Sequence, residues 1–147
     1  MFKFLISIIL SYLVGTINPA YLLAKLKGFD IRKQGSKNAG TLNTYKTLGL
    51  LQAILVFIID AGKGILSFYL AKEVFLLSEL NIYLSSLFVI IGHRYPFYLN
   101  WKGGKGVAAG IGLWFTAFAY RSSLPSWWLF DIILLALYLF TKFILKK

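Results

Sequence analysis

LLQAILVFIIDAGKGILSFYLA, Leu50–Ala71, is apolar over almost its whole length and yet holds Asp60 and Lys63 near its middle. A hydrocarbon layer about 30 Å thick needs ~20 mostly apolar helical residues, so the stretch reads as a membrane span. Ionisable groups within a span are costly, and they pair or face a polar interior. Asp60 and Lys63 stand at i, i+3 and can share one helix face. The preferred reading is a structural ion pair that supports the neighbouring loops, with Gly62 and Gly64 admitting close helix neighbours. A polar path through a small transporter rests on the same two residues alone. The segment is not a P-loop, because the Gly-x4-Gly-Lys-Ser/Thr spacing is absent.

The rest of the chain agrees with a lipid solvent. Of its 147 residues 59% are hydrophobic, against about 45–50% in soluble domains. Further spans are expected at Phe4–Leu26, Ile82–His93, Val107–Ala119 and Trp127–Leu145. The fold class is therefore all-α: a polytopic helical bundle of about five transmembrane helices, residues 1–147 forming a single membrane domain. Lys3 before the first apolar run suggests a secretory signal, but the apolar character persists past Pro19 to Leu26 and no good cleavage site follows. Basic residues cluster after the first span (Lys25, Lys27, Arg32, Lys33, Lys37, Lys46), around the third-to-fourth turn (Arg94, Lys102, Lys105) and in the tail (Lys142, Lys146, Lys147). The other side holds Lys3, Lys72 and Arg121. The positive-inside rule then puts the N-terminus outside, and the C-terminus and both glycine-rich loops in the cytoplasm.

Composition also limits the chemistry. Without cysteine there is no disulfide, thiolate zinc site or cysteine nucleophile, and one histidine cannot build a multi-histidine metal centre. No metal and no cofactor are expected. The net charge of +11 favours anionic partners, which in so apolar a chain are lipid headgroups or phosphorylated substrates and not nucleic acid.

Two loops carry the candidate site. GSKNAGTLNTYKTLG, Gly35–Gly49, mixes glycines with Ser36, Asn38, Thr41, Asn43, Lys37 and Lys46. Glycines let backbone N–H groups converge on an anion, while hydroxyls, carboxamides and lysines add donors and charge. A plain cytoplasmic turn accounts for the lysines but not for the Gly, Ser and Asn beside them. GHRYPFYLNWKGGKG, Gly92–Gly106, holds His93, the one side chain of ordinary pKa near neutrality, then Pro96, which stops the helix. Gly103, Gly104 and Gly106 can present amides around Lys105. A lysine ~4 Å from a phosphate charge contributes about 4 kcal/mol before desolvation at an effective dielectric near 20. Beyond it, Ala108, Ala109, Gly110 and Gly112 form a small-residue face suited to close helix packing.

From about Gly15 to Gly112 the chain resembles the bacterial PlsY family of acyl-phosphate:glycerol-3-phosphate acyltransferases. GSKNAGTLNTYKTLG, DAGKG and GHRYPFYLNWKGGKGVAAGIG carry the resemblance, with family-like spacing, and GTINPAYLLAKLKGFDIRKQGS resembles the family's lead-in. The resemblance implies a multi-pass enzyme of the inner (plasma) membrane that works on the cytoplasmic face. It would move a fatty acyl group from acyl phosphate to the 1-position of sn-glycerol 3-phosphate, giving lysophosphatidic acid. The family's serine matches Ser36, its asparagines Asn38 and Asn43, its aspartate and lysine Asp60 and Lys63, its histidine His93. Its phosphate-binding glycines and lysine match Gly103, Gly104, Lys105 and Gly106. On this basis the candidate catalytic residues are His93, Lys105, Ser36 and Asn38. Substrate phosphate would be held by Ser36, Asn43, Lys46, Gly103, Gly104, Lys105 and Gly106, with Asp60 and Lys63 in support.

Three departures stand out. Lys46 replaces the family's arginine, keeping the charge but losing the bidentate fork. Lys37 replaces the glycine between the serine and the first asparagine. The sequence also stops about where the family's third block, with further serines and a histidine–asparagine–arginine run, should begin, and YRSSLPS (Tyr120–Ser126) does not match it. A second polypeptide supplying that block, or an inactive lipid- and phosphate-binding membrane protein, are the alternatives to a complete enzyme. Acyl phosphate is already activated, so direct attack by the C1 hydroxyl suffices, with the protein orienting two anions and stabilising the oxyanion. The phosphate itself can take the hydroxyl proton. His93 is read as a positional hydrogen-bonding group ahead of a general base, and the acyl tail would lie between helices, among membrane lipids.

Overall fold

A computed structural model describes residues 1–121; the expected fifth span and all of the Tyr120–Ser126 segment after Arg121 lie outside the described residues. The backbone divides into two compact units, Met1–Thr116 and Ala117–Lys147, and the account that follows concerns the first. Among the described residues the regular elements are helical throughout: α1 (Phe2–Thr16), α2 (Pro19–Leu26), α3 (Thr41–Leu48), α4 (Leu50–Tyr69), α5 (Glu79–Ser86), α6 (Phe88–Arg94) and α7 (Val107–Arg121). Short 3-10 turns occupy Ile31–Lys33 and Phe97–Leu99, and a π-turn at Leu70–Val74 extends α4.

Among the described residues two helical stretches, Phe2–Leu26 and Leu50–Val74, are long and apolar enough to cross a membrane. The first is broken inside. Pro19 has no N–H and drives the residue before it out of the helical region. Asn18 is accordingly extended, and its Oδ1 accepts from the Tyr21 amide at 2.9 Å to start α2. The expected third span is a pair of short helices, α5 and α6, joined at Leu87 and ended at Tyr95 by Pro96. The first glycine-rich segment, expected as a loop, folds its second half into α3 because Gly40 opens a helix over TLNTYKTL.

Small and polar side chains share the interior with Phe68, Ile31, Val56 and Val89. Inside lie Ser7, Ser11, Ser67, Ser85, Ser86, Ala20, Ala24 and Ala53, while Leu51, Ile54, Leu55, Ile58, Ile65 and Leu66 on α4 face outward. Large exposed apolar faces over small or polar interiors suit lipid, where close backbone approach and interhelical hydrogen bonds drive association. Ser67 Oγ donates to Ser11 Oγ at 2.8 Å between α4 and α1. Gly15 and Gly92 let α1 and α6 touch backbone to backbone. Gly64 lies on the Ala109 and Leu113 backbone, and Gly112 on Ala61, where α4 meets α7. Of the small-residue face of α7, Ala109 and Gly112 thus meet α4, whereas Gly110 faces Ile90 of α6. Gly62, by contrast, has no neighbouring group within 4 Å of an added Cβ.

Candidate functional site

The first loop is built around Asn43. Its buried carboxamide accepts from the Ser36 amide at 2.9 Å and donates to the Ile31 and Gln34 carbonyls at 3.1 and 3.0 Å. Asn43, expected on the substrate phosphate, therefore spends its hydrogen bonds on shaping the loop. That fold leaves Ser36, Lys37 and Lys46 exposed and Asn38 half-buried. Lys37 sits in the left-handed region at φ 58°, which accounts physically for a glycine at this place in the resembling family.

Arg32 ties this loop to the second one. It forks onto Asp30 (Nε–Oδ1 3.0 Å, Nη2–Oδ2 2.8 Å) and donates through Nη1 to the carbonyls of Leu99 (2.7 Å) and Lys102 (3.3 Å). The Tyr21 ring lies 5.0 Å beneath the guanidinium. Tyr98 adds a bond from its hydroxyl to the Thr16 carbonyl at 2.7 Å. Burial pushes the Tyr98 phenol above its ordinary value of 10.0.

In the second loop the Gly103 amide donates to the Arg94 carbonyl (3.0 Å) and the Gly104 amide to that of His93 (3.1 Å), capping the end of α6. These two amides, expected to meet phosphate, are committed to the protein. The backbone donors still outside a helical ladder come just later, at Val107–Ala109, since the first helical bond of α7 runs from Gly110 to the Gly106 carbonyl. A helix N-terminus beside exposed Lys105 is an anion-binding arrangement.

The two loops meet at Gly104. A methyl there would overlap both the Ala39 carbonyl of the first loop and His93 Nε2 of α6. Asn18 Nδ2 also donates to the Ala39 carbonyl, at 3.2 Å, so the break between α1 and α2 supports the same seam. Behind it lies a charged cluster with exposures of 1% for Asp60, 4% for Lys63 and 2% for His93. Lys63 Nζ lies 2.8 Å from Asp60 Oδ1, 2.9 Å from His93 Nδ1, 2.6 Å from the Ile17 carbonyl and 3.2 Å from that of Gly15. Asp60 Oδ1 has no well-angled hydrogen bond, so its 2.8 Å contact with Lys63 is an ion pair in charge more than in direction. The carbonyls freed where Pro19 breaks the first span are among those that hold Lys63. No three metal-ligating side chains gather among the described residues, and none there links Ser36 Oγ to a base.

These features coincide with a known family, whose match extends over residues 5–146. The chain belongs to the glycerol-3-phosphate acyltransferase family. It is 42% identical over 110 residues to the glycerol-3-phosphate acyltransferase of Alkaliphilus metalliredigens, covering 74% of this chain and 55% of that protein. Against glycerol-3-phosphate acyltransferase 2 of Moorella thermoacetica it is 36% identical over 141 residues, covering 95% and 69%. Its structure is similar to crystal structures of PlsY, an integral membrane glycerol 3-phosphate acyltransferase. With the glycerol 3-phosphate form the TM-score is 0.72 at 37% identity over 78% of this chain and 57% of that one. With the lysophosphatidic acid form it is 0.69 at 36%. The chain spans between about half and two-thirds of the length of these proteins.

Sequence reasoning selected the histidine, the ion pair and both loops. It missed Arg32 as the tie between them and Asn18 as a brace. In the sequence Arg32 reads as a positive-inside charge, although Asp30 two residues earlier is a signal for a local fork.

Proposed function

We propose that the chain acts as an acyltransferase of the cytoplasmic face of the plasma membrane, moving a fatty acyl group from acyl phosphate to the 1-position of glycerol 3-phosphate and releasing lysophosphatidic acid and phosphate. The observation that carries the reading is the seam at Gly104, which brings two basic, glycine-rich loops onto one site beside apolar helices. Lys105, with the first-turn amides of α7, binds one phosphate; Ser36, Lys37 and Lys46 face the other anion. The C1 hydroxyl attacks the acyl carbon, and the acyl–phosphate bond breaks as the ester forms. The hydroxyl proton leaves on a phosphate oxygen. The tail of the acyl donor lies against the lipid-facing helices.

The topology belongs to the same proposal: five spans, N-terminus outside, both loops in the cytoplasm. It is supported by the basic residues gathered in those loops. Because the chain has no cysteine, single cysteines at Lys37 and Lys72 can be labelled in intact cells and in inverted vesicles; equal labelling from outside would reject the orientation. Activity is tested with purified protein, acyl phosphate and labelled glycerol 3-phosphate. Lysophosphatidic acid is the expected product, formed at least tenfold more slowly by Lys105→Ala. Product formation unaffected by Lys105→Ala defeats the site assignment.

A further inference from the structure

The charged cluster fixes which nitrogen of His93 bears the proton. Lys63 Nζ is surrounded by two carbonyl oxygens, a carboxylate oxygen and His93 Nδ1, all within 3.2 Å. A neutral amine would leave Asp60 as a lone buried negative charge, which is far more costly than the ionised pair. Lys63 is therefore an ammonium, with N–H donors and no lone pair. At 2.9 Å from that ammonium, Nδ1 has to accept, so the ring proton sits on Nε2. An imidazolium would turn an Nδ1–H onto the ammonium and add a third charge to a cluster now balanced at zero. The competing arrangement is an Nδ1–H donated to Asp60, which would free Nε2 as a base; Asp60 Oδ1 is farther, at 3.4 Å.

We propose that Lys63, held by Asp60 and the Gly15 and Ile17 carbonyls, locks His93 as an Nε2–H donor at the seam of the two loops, so that His93 positions the site and does not serve as its general base. Nε2 faces the Gly104 backbone, across which lies the Ala39 carbonyl. With its lone pair on Nδ1 occupied and a proton already on Nε2, the ring has no place for the substrate's hydroxyl proton. Asp60 and Lys63 are positioning residues acting through His93. The inference rests on the proposed activity only for its consequence in catalysis; the tautomer stands independently.

His93 is the single histidine, so histidine-selective 15N labelling of the full chain gives one imidazole without assignment. At pH 8 the expected spectrum has Nε2 protonated and Nδ1 a hydrogen-bonded acceptor. In Lys63→Met, which leaves the Asp60 carboxylate unpaired 3.4 Å from Nδ1, the ring proton moves to Nδ1. A wild-type ring protonated on Nδ1 overturns the proposal, whether or not the protein turns over. The second arm is His93→Gln, whose amide N–H can replace the Nε2 donor but cannot take a proton. It should keep at least about a tenth of the rate, whereas loss of a general base costs typically 10²–10⁴-fold. A hundredfold loss in a folded His93→Gln protein overturns the donor role. Absence of turnover in the wild type would defeat the proposed function and leave the spectrum decisive for the tautomer.

Discussion

Arg32 Nη1 donates to the Leu99 carbonyl at 2.7 Å across 67 positions of chain. The same nitrogen reaches the Lys102 carbonyl, so the guanidinium grips both sides of Asn100 and Trp101. Those two residues hold φ values of 54° and 60°, a left-handed conformation that costs a bulky side chain of order 1–2 kcal/mol. Arg32→Ala releases that clamp and leaves Asp30 without its partner. Charge-assisted bonds contribute ~1.5–3 kcal/mol, discounted here because both side chains are about a fifth exposed. A loss near 1–2 kcal/mol is expected, read as a lower Tm in detergent, with KM for glycerol 3-phosphate rising. Arg32→Lys should recover little of either, since an ammonium cannot fork.

The clamp should also be acid-sensitive. The Arg32 guanidinium beside Asp30 holds its carboxyl below the ordinary value of 3.8. A carboxylate whose pKa is lower folded than unfolded stabilises the fold above the unfolded value, and loses that contribution as pH falls through the folded one. The Tm difference between wild type and Asp30→Asn should be constant from pH 7 to pH 5 and shrink below pH 3.8. A difference that grows on acidification would contradict the ion pair.

Lys37 supplies a test in the opposite direction. It occupies a left-handed position at φ 58°, where a non-glycine residue is disfavoured by roughly 1–2 kcal/mol. Glycine loses more chain entropy on folding, which offsets part of the gain. Lys37→Gly should therefore stabilise the protein by about 1 kcal/mol or less. It should also weaken anion binding by removing an exposed charge beside Ser36. A Tm rise accompanied by a KM rise is the expected pair of results.

The legible part of this molecule was its chemistry in runs. Long apolar stretches, charges inside a span, and glycine beside lysine have local signatures, and the structure brings Ser36 and Lys105 onto loops that touch, beside His93 at the end of α6. What could not be read were hydrogen bonds between distant segments. Nothing local to Asn43 tells that three loop groups will claim its carboxamide, nor that the Gly103 and Gly104 amides will close onto the end of α6. Helix interruption was only half visible: Pro19 marks the break after α1, but its use, freeing the Gly15 and Ile17 carbonyls for Lys63, depends on where α4 packs.

Glycines of identical sequence appearance separate in the same way, and two substitutions expose the difference. On α7 a Cβ at Gly112 would strike the backbone of Ala61 on α4. α4 cannot yield there without moving the Asp60–Lys63 pair, which flanks Ala61. Overpacking of this kind costs typically 1–3 kcal/mol, and because the strain falls on the support of His93, Gly112→Ala should lower activity as well as Tm. Gly62, one residue on from Ala61, faces open space. There alanine gains ~0.5–1 kcal/mol of helix preference over glycine, so Gly62→Ala should raise Tm slightly and leave turnover unchanged. Thermal unfolding and turnover measured together on the two variants should give opposite signs. If both variants behave alike, α4 and α7 do not cross at Ala61.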